Sequence, residues 1–154
     1  MTSFKGAAKR LERVKENDSV AIYKDFAHSP SKLLATISAM KEQYPKRRLV
    51  ACMELHTYSS LTQEFLKQYA HTMDKADVAI VYYNHHAIEL KRLPELNKEN
   101  VYKAFEKEDL KVFTTKEEVL DTLYKINWKD TNLLMMSSGN FDGIDFNKLA
   151  DKLI

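Results

Sequence analysis

The stretch Arg47 to Ser60, RRLVACMELHTYSS, places five consecutive apolar residues, Leu49 to Met53, directly before a turn rich in polar groups. A run that is continuous instead of alternating reads as a strand buried on both faces. Three further runs have the same character: Val78 to Tyr83, Leu110 to Phe113 and Asn132 to Met136. A fifth run, Val20 to Tyr23, precedes the turn Asp25 to Pro30, DFAHSP.

Helical spacing fills the intervals. Leu33, Ile37, Met40 and Tyr44 recur every three or four residues, as do Leu61, Phe65, Tyr69 and Met73. Ser29 before Pro30 fits an N-cap with a first-turn proline, and Thr115 with Glu118 fits a capping box. Asp145 is placed to cap the last helix, with Ile144 stapled to Leu149. Strand and helix in alternation predict an α/β fold: a Rossmann-like, open, mostly parallel sheet with helices on both faces. The stretch Leu11 to Ser19, with Glu16-Asn17-Asp18 at its middle, reads as a small hairpin ahead of the first parallel strand, and the polar stretch Lys91 to Glu99 as a long surface excursion.

A length of 154 residues with 44% hydrophobic content suits one domain, residues 1–154. Lysine and arginine number 24 against 22 acidic residues, and the basic ones are scattered, which argues against a nucleic-acid surface. The N-terminus has no apolar signal-like core and no run approaches the ~20 residues of a membrane span. A soluble, cytoplasmic protein is expected. Cys52 lies inside an apolar run and reads as a buried, inert thiol that excludes an intramolecular disulfide by being alone.

Glycine occurs only at positions 6, 139 and 143, so neither G-x-G-x-x-G nor G-x-x-x-x-G-K-[ST] can be written anywhere in the chain. The backbone cradles that hold a dinucleotide pyrophosphate or a nucleoside triphosphate are therefore excluded, and any use of ATP requires another domain to hold the phosphates. No G-x-S-x-G elbow exists, and no His, Asp or Glu pair has a recognised ligand spacing, so neither a catalytic nucleophile nor a metal site is assigned.

Ligands of open parallel sheets collect at the carboxyl ends of the strands. Four turns carry polar groups there: Asp25 to His28, Glu54 to Ser60, Asn84 to His86, and Ser137 to Asn140. Asp25 reads equally well as a carboxylate satisfying backbone amides at a helix entry. His28 and His56, taken singly, read as partly buried turn residues, and His85-His86 as surface residues. Ser137 to Asn140, with Gly139 for an unusual backbone angle, suits the rim of a carboxylate site or a plain strand-to-helix loop. Their convergence at one edge is what favours a site.

The segments FKGAAKRLE (4–12), DFAHSP (25–30), RRLVACMELHTYSS (47–60), ADVAIVY (76–82) and MMSSGNFDGI (135–144) occur in the order seen in the C-terminal domain of Mur ligases. The chain resembles that domain over nearly its whole length, and most of all in the members that recycle murein peptide. The resemblance implies a three-domain enzyme whose UDP-sugar and ATPase domains lie outside this chain. It implies activation of a carboxylate as an acyl phosphate with ATP and Mg2+, then attack by the amine of an incoming substrate. The implied substrates are L-Ala-γ-D-Glu-meso-diaminopimelate, met by this domain, and UDP-N-acetylmuramate, met by the others. The domain alone would be inactive.

By the same resemblance Arg10 and Asp25 contact the nucleotide on closure, Asp25 near the ribose, while His28, His56, Ser138 and Asn140 line the incoming-substrate side. Muramate:L-alanine ligases carry arginines just after the histidine that matches His56. Here Thr57 and Ser60 occupy those places, which favours a larger peptide over a single amino acid. The D-N-P-R signature that reads diaminopimelate in the tripeptide-forming member is absent, which leaves both diaminopimelate and lysine open as the peptide's third residue. Two other readings are an L-alanine-adding sibling and a stand-alone flavodoxin-like binding module without chemistry.

Overall fold

The computed structural model describes residues 12–25, 29–55, 67–83, 98–137 and 141–153. Strands β1 (Glu12–Glu16), β2 (Ala21–Asp25), β3 (Arg48–Glu54), β4 (Val78–Tyr82), β5 (Lys111–Phe113) and β6 (Thr131–Met136) form one sheet in the order β1-β2-β6-β3-β4-β5. Only β1 is antiparallel, paired with β2; every other neighbouring pair is parallel. Helices α1 (Pro30–Gln43), α2 (Lys98–Phe105), α3 (Lys116–Lys125) and α4 (Phe146–Leu153) cover it, with 3-10 turns at Lys67–Tyr69 and Phe141–Gly143.

The apolar runs explain the two layers, because successive strand residues face opposite sides. Ala51, Met53, Ala79, Val81, Leu134 and Met136 pack under Leu33, Ile37 and Met40 of α1 and Val101 and Phe105 of α2. Val50, Cys52, Ile80, Leu133 and Met135 pack under Val119 and Leu123 of α3 and Leu149 and Ala150 of α4. The chain advances from β2 to β5 with α1 and α2 on the first face. It then returns through α3 on the second face and inserts β6 between β2 and β3.

Local chemistry sets the helix ends. Thr115 Oγ1 accepts from the Glu118 amide at 3.3 Å, so the Thr115 cap forms, while the Glu118 carboxylate reaches back to accept from the amide of Thr114, one residue before the cap. Asp145 Oδ1 accepts from the amides of Asn147 and Lys148 at 3.0 and 3.1 Å. Ile144 and Leu149 join the same apolar cluster. Ser29 holds the N-cap position of α1 with Pro30 in the first turn, but its side chain makes no cap bond and its carbonyl accepts from Leu33 instead.

Three expectations need correcting. The hairpin exists, but its second arm is β2 itself, the first parallel strand. Asn17 turns it by accepting from the amides of Ser19 and Val20. The run Leu110 to Phe113 yields a three-residue edge strand that is only half buried, because no strand among the described residues lies beyond β5. Tyr69 and Met73 are fully buried but stand in a 3-10 turn and the turns after it. His71, at φ 65°, interrupts any regular helix there. Leu61 and Phe65 fall outside the described residues, as do Lys91 to Asn97 of the polar excursion, whereas Lys98 and Glu99 open α2.

The amino edge of the sheet is closed by side chains. Asp77 Oδ2 accepts from the Leu49 amide at 2.7 Å and from Lys41 Nζ at 2.9 Å, and the Asp77 amide donates back to the Leu49 carbonyl. Burial pushes the Asp77 carboxyl up, but those two hydrogen bonds and the Lys41 and Arg48 charges outweigh it and hold it below its usual 3.8. A carboxyl depressed in the folded state stabilises above its unfolded value, and that stability is lost as pH falls through the folded one. Asp77 is more than a third exposed, so water screens the charge contribution. Asp77→Ala is expected to cost about 1 kcal/mol at pH 7, from the Leu49 amide that loses its partner. The gap from the unmutated chain should narrow below pH 3.8. Urea melts at pH 7 and pH 3 check this, and a gap equal at both would contradict it.

Candidate functional site

The carboxyl ends of β2, β6 and β3 lie side by side, with Asp25 in register with Met136 and Met136 with Met53. β2 leads into α1 on one face and β6 leads toward α4 on the other, so the chain divides across this edge. Such a division marks the strand-end position at which open α/β sheets usually take a ligand.

Asp25 is the last residue of β2 and is 5% exposed. It shares the register of Met136 and Met53 and so faces α1, where its Oδ2 accepts from Thr36 Oγ1 at 2.9 Å. The carbonyl of Asp25 accepts from the Ser137 amide at 3.0 Å, extending the β2–β6 ladder one residue into the turn.

Glu54 ends β3 one residue past Met53 and therefore faces the α3/α4 side. It is 3% exposed, and its Oε1 accepts from Ser137 Oγ at 2.6 Å and from the Phe141 amide at 2.8 Å. The same oxygen thus ties the end of β3 to the residues on either side of 138–140. The Phe141 ring is buried at 1% exposure, with centroids 6.2 Å from Tyr82 and 6.0 Å from Phe146. Beyond the strand ends the Leu55 amide donates to Tyr82 and the Tyr83 amide to Phe113, so β3, β4 and β5 share one rigid edge.

Of the predicted site residues, Asp25 is placed at this edge. Arg10, His28, His56, Ser138 and Asn140 lie outside the described residues, as does the pair His85-His86. The structure adds Glu54 and Ser137 as a bonded pair across two strands. Both stand in the polar turns named from the sequence, but their pairing depends on β6 entering beside β3.

No group of three or more His, Cys, Asp or Glu among the described residues is arranged to hold a metal ion. Cys52 is fully buried, and burial, aided by the nearby Glu54 charge, pushes its thiol far above the ordinary range, which removes it as a nucleophile. No helix among the described residues is long and apolar enough to cross a membrane.

Among the described residues, Asp25, Glu54 and Ser137 stand at the carboxyl edge of this α/β sheet. Residues 9–139 match the family described as Mur ligase, glutamate ligase domain, and the chain belongs to that family. Among curated proteins it is 30% identical over 143 residues to the UDP-N-acetylmuramate–L-alanine ligase of Phocaeicola vulgatus. The match spans 92% of this chain but only 30% of that protein's length.

Solved structures share the fold. A murein peptide ligase from Psychrobacter arcticus superposes with TM-score 0.73 at 21% identity, over 94% of this chain and 30% of that one. A domain assigned to a UDP-N-acetylmuramate:L-alanyl-γ-D-glutamyl-meso-diaminopimelate ligase of Haemophilus ducreyi gives 0.63 at 22% identity, covering 94% of this chain and all of that one. The UDP-N-acetylmuramate–alanine ligase of Thermotoga maritima gives 0.63 at 13% identity, over 94% and 29%.

Proposed function

We propose that the chain is the incoming-substrate domain of an ATP-dependent ligase that joins L-Ala-γ-D-Glu-meso-diaminopimelate to UDP-N-acetylmuramate in the cytoplasm. The observation that carries the reading is membership of the Mur ligase family over residues 9–139, together with a polar strand-end edge and no phosphate cradle. In this reading two further domains hold the UDP-sugar and MgATP. The muramate carboxylate takes the γ-phosphoryl group of ATP, the peptide amine attacks the acyl phosphate, and inorganic phosphate leaves. The domain supplies position and closure, and has no activity alone.

Asp25 is proposed to meet the ribose on closure, because a carboxylate accepts two hydroxyl donors, and Arg10 to meet the phosphates through its forked cation. His28, His56, Ser138 and Asn140 are proposed to line the peptide side. Peptide is preferred to L-alanine because Thr57 and Ser60 stand where the alanine-adding members carry arginines, so a lone amino acid's carboxylate meets no guanidinium there. A second reading, addition of L-alanine, is favoured by the 30% identity to the Phocaeicola vulgatus enzyme.

An amide-resolved NMR titration of the chain with the tripeptide tests the proposal. Saturable shifts are expected at Asp25, Leu55, Ser137 and Phe141, with L-alanine alone producing none. Equal responses to both ligands, or none to the tripeptide, would overturn it.

A further inference from the structure

Asp25 ends β2, and two different elements fix its backbone and its side chain. The backbone is held from β6, in register with Met136 and with its carbonyl accepting from the Ser137 amide at 3.0 Å. The side chain is held from α1, where Oδ2 accepts from Thr36 Oγ1 at 2.9 Å. Asp25 is 5% exposed, so water competes weakly for that bond. A carboxylate turns broadly about its last side-chain torsion unless a donor at a fixed point holds its plane. The donor here is fixed, because Leu33, Ile37 and Met40, the neighbours of Thr36 on α1, are fully buried in the core.

The helix itself does not call for this threonine. Alanine is the better helix former at an interior position. A threonine inside a helix can also satisfy its hydroxyl on the carbonyl four residues back, as Thr122 does in α3 by donating to Glu118 at 3.0 Å. Thr36 instead directs its hydroxyl proton across to β2.

We propose that Thr36 is a positioning residue that orients the Asp25 carboxylate toward the ribose hydroxyls of ATP. The inference rests on the ribose contact given to Asp25 under Proposed function. A carboxylate has about four acceptor sites, so the Thr36 hydroxyl and the ribose hydroxyls can be accepted together. Orientation differs from simply fastening α1 to β2, since only orientation depends on the ribose hydroxyls. Loss of the Thr36 donor should therefore weaken the use of ATP and leave the use of 2′,3′-dideoxy-ATP, which offers Asp25 no hydroxyl, almost unchanged.

The test is steady-state ligation by the full-length protein, supplied with UDP-N-acetylmuramate and whichever of the tripeptide and L-alanine it ligates. It is run with ATP and with 2′,3′-dideoxy-ATP and read as the ratio of their kcat/KM values. The unmutated protein is compared with Asp25→Asn, Thr36→Val, Thr36→Ala, Thr36→Ser and Val119→Ala. Valine keeps the shape of threonine without the donor, alanine removes the donor in favour of a stronger helix former, and serine keeps the donor. Val119 belongs to the apolar cluster on the opposite face of the sheet and serves as a control for lost stability.

The unmutated protein should favour ATP by about thirtyfold or more, as expected when hydrogen bonds to a charged group are lost with the hydroxyls. Asp25→Asn, Thr36→Val and Thr36→Ala should each lower that preference by about tenfold, and Thr36→Ser should stay within about threefold of the unmutated value. Val119→Ala should leave the ratio unchanged within about twofold, because lost stability acts on both nucleotides alike. If Thr36→Val and Thr36→Ala keep the unmutated ratio, or Thr36→Ser loses as much as they do, the positioning role is overturned while Asp25→Asn still reports the ribose contact. Absence of ligation, equal use of both nucleotides by the unmutated protein, or an unchanged ratio in Asp25→Asn would defeat the ribose reading itself, and the Thr36 role with it.

Discussion

Phe141→Ala is expected to lower the stability of the chain by about 3–5 kcal/mol, the range for truncating a fully buried phenylalanine. The ring is 1% exposed and lies between Tyr82 of β4 and Phe146 of α4, stacked on the first and edge-on to the second. Its removal leaves a cavity lined by elements that pack elsewhere and cannot collapse into it, which places the cost high in that range. Alanine also retains the left-handed backbone, so no strain is relieved. A domain of this size shifts its midpoint by roughly 2–4 °C per kcal/mol, so a drop of about 6–20 °C in Tm is expected. A change of less than 3 °C by calorimetry would show that the ring does not hold β4 and α4 together.

Asn132→Ala is expected to cost about 2–4 kcal/mol although the residue makes no part of the proposed site. Asn132 is 1% exposed in the central strand β6, where its Oδ1 accepts from the Ala21 amide at 2.8 Å and from Arg47 Nη1 at 3.1 Å. Alanine leaves a buried amide without its acceptor and removes one bond from a guanidinium. Arg47 stays placed by the Asp18 carbonyl at 2.9 Å and by the Tyr44 ring beneath it, so it cannot swing away to recover the loss cheaply. Asn132→Asp keeps the acceptor and should recover at least half of the stability. A double-mutant cycle with Arg47→Ala separates the two bonds, and full additivity would assign the whole cost to the Ala21 amide. Because this network lies at the amino edge, tripeptide affinity should be unchanged in any variant that remains folded.

The strands were legible where burial on both faces forced continuous apolar runs, as in Leu49 to Met53 and Leu133 to Met136. Leu110 to Phe113 misled because a short apolar run looks the same in a central strand and at an edge, and only the sheet order distinguishes them. Capping chemistry was legible at Thr115 and Asp145 because a cap is a contact between near neighbours. Ser29 showed the limit of that logic, holding the right position while its hydroxyl takes no part. Asn132 was counted within an apolar run, and its role emerged only when β2 and Arg47 were seen to converge on it.

The carboxyl edge that holds Asp25, Glu54 and Ser137 was legible for the same reason as the parallel sheet, since these residues follow the apolar runs. Its internal wiring was not. Glu54, Ser137 and Phe141 meet only because the chain returns from β5 and threads β6 between β2 and β3, a long-range event that leaves no local pattern in the sequence. Asp25 was placed at the strand end as expected, and its bond to Thr36 anchors it to α1. The ribose contact proposed for it requires a closed enzyme.

Steady-state ligation by the full-length protein, supplied with UDP-N-acetylmuramate and MgATP, tests the central claim most directly. The account predicts kcat/KM for L-Ala-γ-D-Glu-meso-diaminopimelate at least a hundredfold above that for L-alanine, about 2.7 kcal/mol of discrimination in the transition state. Preference for free L-alanine, or ligation of neither substrate, would contradict it.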